Sequence, residues 1–176
     1  MSPETLSNPE LLAQAGRALE ADLTQIAATL SQRGWMLATA ESCTGGLIAG
    51  ACTGLSGSSL WFDRGFVTYS NAAKTEMLGV PAALIGAHGA VSEPVARAMA
   101  EGAAQRSGAQ ASVAVTGVAG PTGGTPDKPV GLVWFGWSVA GSTHSASQHF
   151  TGDRAAVRAA TVQHALARLL ALLNAA

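Results

Sequence analysis

The feature that most constrains this chain is the run Ala38-Thr39-Ala40-Glu41-Ser42-Cys43-Thr44-Gly45-Gly46. The apolar residues Trp35-Met36-Leu37 precede it, and Leu47-Ile48-Ala49 follow. An apolar run that reaches two glycines and resumes as small apolar residues reads as strand, tight turn and buried helix. Such a unit is at home in an α/β fold. It sets two candidate nucleophiles, Ser42 and Cys43, at the turn. The glycines behind them let backbone N–H groups approach a ligand closely.

The rest of the chain supports the same architecture. From Pro9 to Arg33, the residues Leu12, Ala15, Leu19, Leu23, Ile26 and Leu30 recur every three or four positions, which is helical spacing. Ser7 or Asn8 can cap that helix and Gly34 stops it, while residues 1–8 read as a flexible lead-in. Strands are expected at Trp35–Ala40, Trp61–Tyr69 and Ala111–Thr116, the last of them small and central. Val130–Ala140 and Thr143–Phe150 form a hairpin joined at Gly141-Ser142. Helices are expected at Gly45–Thr53, after an Asn71 cap, from Ser92-Glu93-Pro94 to Arg106, and after Gly152-Asp153. Residues Pro81–Gly86 read as one further helical turn. Gly117–Pro129 is a long loop rich in glycine and proline. Helices interleaved with strands give a single domain over residues 1–176. Its expected form is a three-layer α/β/α sandwich on a mixed sheet of about five strands.

Composition narrows the function. Of 176 residues, 48% are apolar and only 12% charged, and the net charge is −1. No basic stripe with interleaved aromatics is present, so nucleic acid is not an expected partner. No apolar run approaches the ~20 residues of a membrane span. The first ten residues lack the basic-then-apolar order of a signal peptide. Two cysteines, Cys43 and Cys52, make no disulfide framework and fit free thiols in the cytoplasm.

A serine becomes a nucleophile when a base removes its proton. On spacing alone, Ser42 or Thr44 reads first as a helix cap. The N–H groups of Thr44, Gly45 and Gly46 can otherwise hold an oxyanion at a helix start. His88, His144, His149 and His164 compose no Ser-His-Asp order, and no HExxH or paired-cysteine metal spacing occurs. Lys74 is a candidate base, set against the usual reading of a lysine as a solvated surface residue. Behind an Asn71 cap it would occupy the third helical position, where the helix dipole disfavours a cation. Burial would lower its proton affinity in the same direction. Tyr69, the one tyrosine, lies five positions earlier. Arg154 follows Asp153 at another helix start, where an anionic ligand would explain it. The loop from Thr116-Gly117 matches neither a Walker A loop nor a dinucleotide fingerprint. Nor does the sequence contain a G-x-S-x-G elbow.

Several motifs carry a resemblance together. They are Ala40-Glu41-Ser42-Cys43-Thr44-Gly45-Gly46, Gly65-Phe66-Val67-Thr68-Tyr69-Ser70-Asn71 with Lys74, and His88-Gly89-Ala90-Val91-Ser92. Thr116-Gly117-Val118-Ala119-Gly120-Pro121 with Gly123-Gly124, Lys128-Pro129-Val130-Gly131 and Phe150 to Arg154 complete the set. In this order, from about Trp35 onward, they resemble the C-terminal domain family of the competence/damage-inducible protein CinA, in its stand-alone PncC form. The resemblance implies a nicotinamide mononucleotide (NMN) amidohydrolase of serine/lysine type that needs no cofactor or metal. Ser42 would be the nucleophile and Lys74 the base, with Tyr69 the third catalytic residue, binding substrate, orienting the dyad or relaying a proton. Thr44, Gly45, Gly46, Thr116, Gly117 and Arg154 would contact the nucleotide, Arg154 at its phosphate. It also implies a homodimer. The alternative is a non-catalytic nucleotide- or partner-binding module.

Overall fold

A computed structural model describes residues 8–176, with side chains from Ala13 onward. The expected lead-in and the Ser7 cap lie outside the described residues. The order is α1 (Asn8–Arg33), β1 (Leu37–Glu41), α2 (Leu47–Thr53), a 3-10 turn (Ser58–Leu60), β2 (Phe62–Val67), α3 (Asn71–Leu78), α4 (Ala82–His88) and α5 (Glu93–Ser107). Then come β3 (Ala111–Gly117), β4 (Leu132–Val139), β5 (Ser142–His149) and α6 (Arg154–Ala175).

The five strands form one mixed sheet in the order β2-β1-β3-β4-β5. Strands β2, β1 and β3 run parallel, whereas β4 and β5 are antiparallel to their neighbours. β3 is therefore the central strand, as its small, fully buried residues indicate. Alternate residues feed the two faces. Leu37, Val113, Val115, Val133, Phe135 and Trp137 pack under α1, α2 and α6. Ala38, Ala40 and Ala114 face α3, α4 and α5. This is the three-layer sandwich expected of the sequence.

The second face is lined by small side chains because α5 comes very close. A Cβ added at Gly136 would stand 2.3 Å from the Ala96 carbonyl oxygen. Ser112, one of the polar residues of this face, donates to the Ala100 carbonyl of α5 at 2.7 Å. The first face is bulkier and closes with the leucines of α6. By length and mean hydropathy α6 alone among the described helices could cross a membrane, although Arg158, His164 and Arg168 interrupt any continuous apolar run. Its Leu166, Leu169, Leu170, Leu172 and Leu173 are instead buried in the core.

Several boundaries differ from the sequence expectation. The segment 82–88 is a helix of seven residues rather than a single turn. The hairpin turns at Ala140-Gly141, both at positive φ (50° and 81°), and Val139 pairs with Ser142. Two positive φ values match the right-handed twist of the flanking strands, so Ser142 joins β5. α2 begins at Leu47 and not Gly45, because Gly45 and Gly46 are both left-handed (φ 61° and 98°).

Candidate active site

The parallel strands β1, β2 and β3 end at one edge of the sheet. The chain leaves β1 for α2 on one face and leaves β2 for α3 to α5 on the other. This divergence leaves a crevice at the carboxyl ends of the strands, where α/β proteins hold ligands. A cleft of about 210 Å³ lies there, lined by Ser42, Cys43, Tyr69, Asn71, Lys74, Ala90, Val91, Thr116, Gly117, Ala119 and Arg154.

Ser42 and Lys74, 32 positions apart in sequence, meet in this cleft. The Lys74 amine is 3.0 Å from the Ser42 Oγ. It also donates to the Thr68 carbonyl at 2.9 Å and the Tyr69 carbonyl at 3.4 Å. Lys74 is 1% exposed. Among the described residues its amine has no carboxylate partner. Burial therefore lowers its pKa below the usual lysine value of 10.5, against a smaller upward pull from Cys43. A neutral amine has two N–H donors and one lone pair. Here two carbonyls take the donors, and the lone pair can accept the Ser42 hydroxyl proton.

The helix position of Lys74 needs correcting. The cap of α3 is Ser70 and not Asn71, with the Ser70 hydroxyl accepting the Ala73 N–H at 3.0 Å. Lys74 is thus the fourth helical residue. Its altered basicity comes chiefly from burial, not from the first-turn dipole.

Ser42 is not a helix cap. Nor does Thr44 cap α2 directly. Gly46 holds the cap position without a side chain, and Glu41 supplies the acceptors instead. The fully buried Glu41 carboxylate accepts from the N–H groups of Gly46 (3.0 Å), Ile48 (3.0 Å) and Ala49 (2.8 Å). It also accepts from the hydroxyls of Thr44 (2.5 Å) and Thr39 (3.5 Å).

That arrangement revises the expected oxyanion donors. The Gly46 N–H is held by Glu41, and the Gly45 N–H is given to the Ser42 carbonyl at 3.1 Å. The Thr44 side chain is buried against Glu41. None of Thr44, Gly45 and Gly46 lines the cleft. Among the described residues, the N–H groups of Cys43 and Thr44 make no hydrogen bond to another residue. These two donors at the turn remain open.

Cys43 lies beside Ser42 but is 6% exposed. Burial pushes its thiol up to about 11, so it is held as a thiol near neutrality. Tyr69 is 63% exposed and stands at the rim, where Arg154 Nη2 donates to its hydroxyl at 3.3 Å. Its carbonyl, not its phenol, touches Lys74. Arg154 also donates from Nη1 to the Gly120 carbonyl at 2.9 Å. Thr116 donates to the Ala90 carbonyl at 2.8 Å, and Gly117 has no room for a Cβ, which would meet Val133 at 2.7 Å.

Arg158 escaped the sequence reading. It donates to the Thr44 carbonyl at 2.8 Å and packs beside Gly45. Its position four residues after Arg154 places both arginines on one helix face, a spacing visible in the sequence. Among the described residues, no three His, Cys, Asp or Glu side chains gather into a metal-binding arrangement.

The fold and cleft thus describe an α/β sandwich with a serine hydroxyl set against a buried lysine amine at the carboxyl edge of its sheet. The chain belongs to the CinA C-terminal domain family, whose profile matches residues 20–173. It is 56% identical over 135 residues to the nicotinamide-nucleotide amidohydrolase PncC of Enterobacter agglomerans, covering 76% of this chain and 82% of that protein. It is 51% identical over 166 residues to a CinA-like protein of Akkermansia muciniphila, covering 94% of this chain and 39% of that protein. This chain therefore spans only about a third of the length of some curated relatives (34% and 39%). The crystal structure of the competence/damage-inducible protein CihA from Agrobacterium tumefaciens superposes with a TM-score of 0.86 at 47% identity. The alignment covers 89% of this chain and 96% of that one.

Proposed function

We propose that this protein is a nicotinamide-nucleotide amidohydrolase that converts NMN to nicotinate mononucleotide and ammonia through an acyl-enzyme on Ser42. The observation that carries the reading is the buried Lys74 amine 3.0 Å from the Ser42 hydroxyl, with no carboxylate beside it among the described residues. The nicotinamide-nucleotide amidohydrolase activity for which the PncC relatives are named supports the substrate.

Lys74 takes the Ser42 proton as Oγ attacks the carboxamide carbon. Of the donors at the turn, the Cys43 N–H, on a residue that lines the cleft and free of other partners among the described residues, is the one offered to the developing oxyanion. The resulting ammonium of Lys74 returns the proton to the leaving nitrogen, and ammonia departs. Water then adds to the ester, giving a proton to Lys74. Collapse expels the Ser42 oxygen, which takes the Lys74 proton, and releases the carboxylic acid, whose proton passes to solvent. The cleft takes the pyridine ring, and Arg154 at the rim meets the phosphate, its guanidinium suited to bidentate hydrogen bonds.

The test is ammonia release from NMN by the purified protein, with Ser42→Ala and Lys74→Ala as controls. Turnover in the wild type and its near loss in both variants is the expected result. NMN binding without ammonia release would replace this reading with that of a binding module.

A further inference from the structure

Building on the serine–lysine reading, we propose that Glu41 is the positioning residue that sets the Ser42–Lys74 distance. Glu41 belongs to both halves of the pair. Its side chain leaves β1 and holds the far end of the turn, at Thr44, Gly46, Ile48 and Ala49. Residues 42–45 are thereby closed into a loop that starts at the Glu41 backbone and ends at the Glu41 carboxylate. The backbone of Glu41 serves the other half, because its carbonyl accepts the Thr68 N–H at 2.8 Å. Thr68 is the residue whose own carbonyl holds the Lys74 amine at 2.9 Å.

Two further bonds complete the frame. Ser42 N–H reaches the Val115 carbonyl on β3 at 3.1 Å, and Arg158 holds the Thr44 carbonyl at 2.8 Å from α6. The nucleophile is thus pinned on both sides while its Oγ faces the cleft. Only a carboxylate satisfies this set of donors, since every contact to Glu41 is one that it accepts. A glutamine in its place would turn an amide N–H toward the Ala49 N–H or toward those of Gly46 and Ile48.

The full-length protein carrying Glu41→Gln tests this. It should keep the wild-type fold by circular dichroism and lose about 100-fold in kcat, the scale of a misplaced reacting group. KM for NMN should stay within about threefold, because the substrate contacts are elsewhere. Phosphonylation of Ser42 by a fluorophosphonate should slow in parallel. The inflection of the pH profile should not move, since Glu41 is assigned geometry and not proton transfer. A folded Glu41→Gln protein with kcat near wild type overturns the proposal, as does a shifted inflection with an unchanged plateau. Should Glu41→Gln not fold, Thr44→Val removes a single contact to the same carboxylate. It should lower kcat about fivefold at constant KM, and unchanged kcat there overturns the proposal too. Ser42→Ala separates this from the parent reading. If Ser42→Ala keeps full turnover, the acyl-enzyme falls and the role of Glu41 with it. If Ser42→Ala is inactive and Glu41→Gln is not, only the role of Glu41 falls.

Discussion

Glu41 and Lys74 are both buried, and they stand on neighbouring segments at the same edge of the sheet, yet the protein treats them in opposite ways. Glu41 is surrounded by five donors, three of them backbone N–H groups at the start of a helix. Both of its oxygens are met by hydrogen-bond donors. Lys74 receives two carbonyls, one hydroxyl and no carboxylate. Its environment leaves the cation uncompensated. Burial alone does not decide what an ionisable group does. A fully satisfied charge becomes structure, and an unsatisfied one is left available for chemistry.

The sharpest way to break this contrast is at the reacting pair. Ser42→Ala and Lys74→Ala should each reduce kcat/KM by at least about 1000-fold, measured as ammonia release from NMN. A smaller loss in Lys74→Ala would mean that the amine is not the base. Stability should move the other way round. Glu41→Ala strands three N–H groups and should cost on the order of 3 kcal/mol, read as a lower urea midpoint. Lys74→Met removes an uncompensated amine and should leave the midpoint unchanged or raise it. Equal losses in both variants would erase the distinction.

A smaller effect is expected at the rim. Arg154→Ala should raise KM for NMN about tenfold while leaving kcat within about threefold, because a phosphate contact is uniform binding. The phosphate-free riboside should show no such change. The pH dependence follows from the direction of the Lys74 shift. Activity needs the neutral amine, so kcat/KM should rise with pH through an inflection below 10.5 and then level. The smallest effect belongs to His164, packed against Phe135 with ring centroids 4.7 Å apart. Burial first, and then Arg168, lowers its pKa from 6.5. The unfolded chain therefore takes up a proton that the folded one resists. Stability should decline as pH falls below about 6.5 and flatten beneath the folded pKa. His164→Gln should flatten that slope in thermal melts.

What the sequence made legible follows from how local the signals are. The stripe of α1, the alternation of strands and helices and the small residues of β3 report the sandwich directly, since each is a periodic pattern on one element. Ser42, Lys74 and Arg154 were singled out by their places near helix starts and by the motifs around them. The function of Glu41 was not legible, because its acceptors face donors five, seven and eight residues ahead across a turn with no period. The carbonyls of Thr68 and Tyr69 carry no residue-type signature at all. That the Gly45 and Gly46 N–H groups are already bonded within the protein was hidden for a related reason. Glycines mark where a backbone can turn, but here their left-handed conformations delay α2 until Leu47, and Glu41 takes up the Gly46 N–H.

The position of α6 in the chain has a consequence for synthesis. This helix brings Arg154 to the rim and Arg158 to the Thr44 carbonyl, and its leucines cover α1 and the first face of the sheet. On the ribosome, the first helix emerges with its apolar stripe uncovered and waits for the last one. During that interval the serine turn lacks its α6 tie, and the cleft lacks one wall. Docking of α6 therefore completes the core and one side of the cleft together.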